Sequence, residues 1–148
     1  MIKSLIFGII SISVLILTGC NFNKTYSNRI SDKQDAEVIA ERLYVLMEKS
    51  QFEEAEQLFS EKFLNVTPSD SLQKMFLKIK SLGEFQSKEL QDWKTFVLEG
   101  SKPKSQYALY YKVDYSHHEA KETIRMEKKG DKIMIVGYEV YSDGFSSK

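Results

Sequence analysis

Tyr107-Ala108-Leu109-Tyr110-Tyr111-Lys112-Val113-Asp114-Tyr115 is the stretch that decides the fold. Tyr107, Leu109, Tyr111, Val113 and Tyr115 alternate with Ala108, Tyr110, Lys112 and Asp114, the period of two that a half-buried strand shows. The pattern repeats downstream. After the turn Ser116-His117-His118-Glu119, the residues Ala120, Glu122, Ile124 and Met126 alternate with Lys121, Thr123, Arg125 and Glu127. Lys129-Gly130-Asp131 makes a second turn, and Ile133 to Tyr141 forms a last strand, apolar on both faces and therefore expected at the sheet centre. Upstream, Phe85 to Leu98 is extended, with its alternation broken near Asp92-Trp93, where a bulge would place Trp93 at a corner.

Before Gly83 the period is helical. Ser31-Asp32-Lys33-Gln34 reads as a capping box ahead of a stripe of Ala36, Ile39, Leu43, Leu46 and Met47. Ser50-Gln51-Phe52-Glu53 is a second box, opening a short helix with Ala55, Leu58 and Phe59 inward. Phe63, Leu64 and Val66 then carry apolar contacts into a loop. Thr67-Pro68 starts a third helix with Leu72, Met75, Phe76 and Ile79 on its stripe, and Gly83 is its left-handed stop. Helices followed by an antiparallel meander read as α+β: three N-terminal helices packed on one face of a curved antiparallel sheet of about four strands.

The chain has 148 residues, 21 basic and 21 acidic, and is 42% hydrophobic and 28% charged, with 7 Gly, 2 Pro and 1 Cys. These figures describe one globular domain and exclude a disordered chain, a disulfide scaffold and a polybasic nucleic-acid binder. Met1-Ile2-Lys3 supplies one positive charge, and Leu5 to Leu17 is an uncharged apolar run. At about 1.5 Å per residue that run reaches roughly 20 Å, short of a bilayer core, so it reads as a secretory signal. It ends in Leu17-Thr18-Gly19-Cys20, which closely resembles the lipobox of bacterial lipoproteins. The resemblance implies diacylglycerol on the Cys20 thiol, cleavage before Cys20, and export to a membrane-anchored position in the cell envelope. Two or more acyl chains anchor stably where one is marginal. The expected organisation is residues 1–19 as signal peptide, 20–31 as a polar flexible tether, 32–141 as the α+β domain and 142–148 as a polar tail. The lone cysteine excludes an intrachain disulfide and a CxxC site.

The order of elements is similar to the nuclear transport factor 2-like, or cystatin-like, cone. Phe52-Glu53-Glu54-Ala55-Glu56-Gln57-Leu58-Phe59 resembles the second helix of that family, and Gly130-Asp131-Lys132-Ile133-Met134-Ile135-Val136-Gly137-Tyr138-Glu139-Val140 resembles its closing strand. The family's usual Trp after the Gly-x pair is replaced here by Lys132-Ile133. The superfold hosts enzymes, ligand cups and adaptor domains, so the resemblance carries no single activity.

Candidate chemistry is sparse. His117 and His118 are adjacent in a turn, where side chains diverge, and Glu119 beside them does not complete a zinc shell. Enzymes of the cone fold use Asp, His or Tyr inside the cup, which makes Asp92, Asp114, Tyr111 and Tyr115 conceivable pocket residues. No spacing selects a pair of them, and there is no phosphate loop, GxSxG, HExxH or EF-hand pattern. No cofactor is implied. Aromatics are the enriched feature, with 8 Tyr, 9 Phe and 1 Trp. Trp93, Tyr107, Tyr111 and Tyr115 are the candidate cup or interface residues. Export, one excess acid after loss of Lys3, and no basic stripe argue against nucleic acid. The expectation is a membrane-anchored lipoprotein whose domain is a non-enzymatic interaction module, partnered by membrane lipid through Cys20 and by an envelope protein or a second copy. The alternatives are a cup for a small apolar or aromatic ligand and a cone-type hydrolase or isomerase.

Overall fold

Gly83, at φ +112°, is where the helical half ends and the sheet begins. The computed structural model describes residues 23–146, so the expected signal peptide, Cys20 and the last two residues lie outside the described residues. In chain order the elements are β1 (Lys24–Ser27), α1 (Ile30–Glu48), α2 (Phe52–Glu56), α3 (Glu61–Val66), α4 (Ser69–Lys80), β2 (Phe85–Glu99), β3 (Lys104–Tyr115), β4 (Glu119–Lys129) and β5 (Lys132–Tyr141). A single 3-10 turn, Asp143–Phe145, follows. The domain is α+β: four helices precede most of an open antiparallel sheet of five strands in the order β1-β2-β3-β4-β5.

The alternation of β3 translates directly into faces. Tyr107, Leu109, Tyr111 and Val113 are buried, and the residues between them are half-buried. On the same inner face β4 buries Ala120, Glu122, Ile124 and Met126, and β5 buries Ile135 and Tyr138. Against this face lie Ala36, Ala40, Leu43, Tyr44 and Met47 of α1, Ala55 of α2, and Leu72, Phe76 and Ile79 of α4, forming one core. The register shift between Leu90 and Asp92 is the expected bulge, and Trp93 beside it is half-buried against the core. Further register shifts lie between Phe85 and Ser87 and between Arg125 and Met126.

Four expectations are corrected. Part of the segment read as a flexible tether is a fifth strand: Lys24 to Ser27 pairs with Glu99 to Phe96 of β2. Asn28, at φ +52°, then closes the turn, its N–H donating to the Thr95 carbonyl (2.9 Å) while its Oδ1 accepts from the Thr95 N–H (3.0 Å). Neither capping box is used: Arg29 and Gln51 hold the N-cap positions of α1 and α2, and no side chain caps either helix. Helix α1 starts at Ile30, and Arg29 clamps its first turn through two bonds to Asp32 (3.0 and 2.7 Å). The apolar stretch Phe63, Leu64 and Val66 is helix α3, not a loop, because the Ser60 hydroxyl caps it by accepting from the Phe63 N–H (3.1 Å). Finally, β5 is an edge strand. Its apolar residues fall on both alternation positions because the register shift opposite Arg125 and Met126 moves the inward set from Ile133 and Ile135 to Tyr138 and Val140. The chain between α2 and α3 runs along its free edge, where Ser60 N–H donates to the Ile135 carbonyl and Ile135 N–H donates to the Leu58 carbonyl, each at 2.8 Å. Covering an edge in this way also removes a template for strand addition.

Candidate functional site

The C-terminal ends of α1 and α4 stand over the start of β2 and the end of β3, and a cup of about 780 Å³ opens between them. Tyr44 and Met47 of α1, Ile79 of α4, Phe85 of β2, Tyr115 of β3 and Tyr138 of β5 line it; Glu48, Lys80, Glu84, Ser116 and His117 make the more polar parts of its wall. The turn after α4 is laced to the turn after β3. Glu84 N–H donates to Ser116 Oγ (2.9 Å), Ser116 N–H to the Glu84 carbonyl (2.8 Å), and His117 N–H to the Leu82 carbonyl (3.1 Å). This lacing draws the backbones together at Gly83. A Cβ there would sit 2.2 Å from Ser116 Oγ and 2.8 Å from the His117 nitrogen.

Beneath the cup lies Glu122, 1% exposed. Its Oε1 accepts from the Tyr115 hydroxyl (2.7 Å), and its Oε2 accepts from the hydroxyls of Tyr44 (2.9 Å) and Tyr138 (2.7 Å). Among the described residues no cation pairs with it. Burial holds its carboxyl above the ordinary carboxylate range, against the opposing pull of the three hydroxyl donors. Burial and the nearby Glu122 push the phenols of Tyr44, Tyr115 and Tyr138 far up, so all three stay protonated. The rings close the floor: Tyr44 and Phe85 lie 5.7 Å apart, and Phe85 stands edge-on to Tyr115 at 6.4 Å. Lys88 spans the Tyr44 ring (5.2 Å) and pairs with Glu41 (2.5 Å).

Both carboxylate oxygens of Glu122 are spent on tyrosines, and the three hydroxyls are spent on Glu122. The floor of the cup therefore presents ring faces and apolar side chains, with the polar network behind them. The ring-lined part of this wall suits an apolar or aromatic body, while Glu48, Glu84 and His117 stand in its polar part.

The expected site residues are dispersed. Tyr115 is in the cup floor. Tyr111 packs edge-on to Tyr44 (5.7 Å) but lines a separate shallow depression on the outside of α1, and Tyr107 lies at the far end of the sheet beside Arg29 and Lys104. Eight residues of strand separate Tyr107 from Tyr115, about 26 Å, too far to share one cup. Trp93 lies by the bulge and is not among the cup residues. Asp92 and Asp114 face away on the outer side of the sheet, Asp92 bonded to the Trp93 N–H (2.8 Å) and Asp114 to Ser87 Oγ (2.9 Å). His117 is exposed at the cup wall, while the His118 ring packs against Gly144. No group of three or more His, Cys, Asp or Glu among the described residues is placed to hold a metal ion.

Glu122 and Tyr44 were not singled out as site residues in the sequence. A glutamate in the apolar half of the Ala120-Glu122-Ile124-Met126 alternation is the signal that marks it, since a charge at a buried register position requires partners. Tyr44 escaped because the buried stripe of α1 is rotated from the expected one, with Ala40 and Tyr44 fully inward and Ile39 and Leu46 half-buried. The chain matched no protein-family model, no curated protein and no solved structure.

Proposed function

We propose that this chain is a bacterial lipoprotein whose domain is a non-enzymatic binding module of the cell envelope, held to the membrane by acylated Cys20 and receiving a small apolar or aromatic molecule in its cup. The cup of about 780 Å³, floored by Tyr44, Phe85, Tyr115 and Tyr138, carries this reading. Its size falls within the range of small-molecule sites. The occupied oxygens of Glu122 speak for binding over catalysis. The order of helices before an open antiparallel sheet supports kinship with the nuclear transport factor 2-like cone. The lipobox Leu17-Thr18-Gly19-Cys20 supports the anchor. No helix among the described residues is long and apolar enough to cross a membrane. An interaction surface on the outer sheet face has weaker support, because that face carries the pairs Arg125–Glu139 (2.7 Å) and Lys112–Glu119 (2.9 Å).

Two measurements test the proposal. Cells fed radiolabelled palmitate should label the wild-type chain and not Cys20→Ser; equal labelling of both removes the anchor. N-phenyl-1-naphthylamine, a neutral aromatic probe, should bind with saturable 1:1 fluorescence enhancement. Met47→Trp, which adds an indole where α1 lines the cup, should weaken that binding by about tenfold, the equivalent of about 1.4 kcal/mol. Unsaturable enhancement, or identical affinity in the folded variant, would remove the cup.

A further inference from the structure

The antiparallel sheet gathers lysines at one end. β2 leaves and β3 enters through Lys102 and Lys104, β4 leaves and β5 enters through Lys128, Lys129 and Lys132, and β1 begins there at Lys24, paired with Glu99. All six lysines are exposed, and none holds an ion pair among the described residues. Glu99, Asp131 and Asp35 are the exposed acids nearby. Asp32 is consumed by Arg29, and Glu127, one rung further in, accepts from Gln106 (3.1 Å). The cup opens at the opposite end of the same strands. The length of β3, from Lys104 to Tyr115, puts about 36 Å between the two ends.

The chain also enters at the lysine end. Four residues after Cys20 comes Lys24, so the contour between them is at most about 14 Å. Asn23 lies against Gly100 in the β2–β3 turn. If Cys20 is acylated, Lys24 is held within about one to two Debye lengths of the lipid headgroups, and the other five lysines share its end of the sheet, where each Lys near the surface gains attraction from anionic lipid.

We infer that the lysine end of the sheet, Lys24, Lys102, Lys104, Lys128, Lys129 and Lys132, seats on the anionic surface of the anchoring bilayer and directs the cup away from the membrane. This rests on the acylated Cys20 proposed above. Lipid alone would leave the domain free to tumble on its linker. The lysines supply the second, orienting contact. A soluble polyanion is disfavoured because the patch lies where the tether emerges, at the surface the anchor already holds.

The test uses the full lipidated chain reconstituted in vesicles. Cys20 carries lipid in this reading, so a fluorophore can be placed by Ser101→Cys at the lysine end or by Lys121→Cys near the cup end. Vesicles contain phosphatidylcholine with or without roughly one third phosphatidylglycerol, plus a lipid with a nitroxide headgroup. With phosphatidylglycerol at about 0.1 M salt, quenching at position 101 should exceed that at 121 by at least about threefold. The contrast should collapse at high salt and in the folded Lys102→Glu, Lys104→Glu, Lys128→Glu, Lys129→Glu variant. Equal quenching at both positions, the same contrast without phosphatidylglycerol, or indifference to the four reversals would overturn the orientation. So would salt-sensitive retention of an oligonucleotide by a chain blind to phosphatidylglycerol. Mass analysis of the same preparation reads Cys20 separately: a bare thiol sinks the anchor, while a lipidated chain with equal quenching sinks only the orientation.

Discussion

Glu122→Leu is expected to destabilise the domain by about 3 kcal/mol, because it strands three inward-facing tyrosine hydroxyls around an apolar side chain. Each of those hydroxyls now donates to one carboxyl group at 2.7–2.9 Å. Leucine returns some hydrophobic gain, which is why the cost is not the sum of three lost bonds. Glu122→Gln keeps the shape and an acceptor, and its cost should stay within about 1.5 kcal/mol. The glutamine variant isolates the charge. Burial raises the folded-state pKa of Glu122 above its ordinary value of 4.5, so above that pH the folded state retains a proton that the unfolded state has released. Its contribution to stability is complete below about pH 4.5 and is lost as pH rises through the folded-state pKa. Denaturant titrations at successive pH values should therefore show wild type losing ground to Glu122→Gln as pH increases, by at most about 1.4 kcal/mol per pH unit. Parallel profiles for the two proteins would mean that Glu122 carries no such linkage.

Gly83→Ala is expected to cost about 2 to 4 kcal/mol and to weaken the aromatic probe at the same time. Two effects add. The φ of +112° is one that side chains with a Cβ rarely adopt, and the new Cβ would meet backbone, 2.8 Å from the His117 nitrogen. Ser116 Oγ can rotate away from its 2.2 Å clash only by giving up the Glu84 N–H. Relief therefore requires prising the α4–β2 turn from the β3–β4 turn, and those two turns hold the cup wall. Gly130→Ala is the control: Gly130 is at φ +60° in the β4–β5 turn with open space around it, so its substitution should cost only about 1 kcal/mol and leave probe affinity unchanged. Equal costs at the two glycines, or a destabilised Gly83→Ala chain with full probe affinity, would show that the lacing does not shape the cup.

The bulge at Asp92-Trp93, the inward set Tyr107 to Tyr115 and the stop at Gly83 were all legible, because each depends on backbone period or on a single residue's conformational freedom. The errors share a cause as well. Lys24 to Ser27 is too short and polar to signal a strand alone; it is ordered by the edge that β2 offers. The edge position of β5 was hidden because a register shift that swaps the inward parity makes a one-faced strand look apolar on both sides.

By itself the sequence determined the α+β class, the division into helical and extended halves, and the inward face of each central strand. These follow from local steric preference and from the spacing of apolar residues. Tertiary structure alone decided that Tyr44, Tyr115 and Tyr138, separated by long stretches of chain, meet on Glu122, and that six scattered lysines gather at the end opposite the cup. Those meetings depend on strand register and on the rotation of α1 over the sheet. Both are set by how the whole core packs, and no window of sequence contains that information.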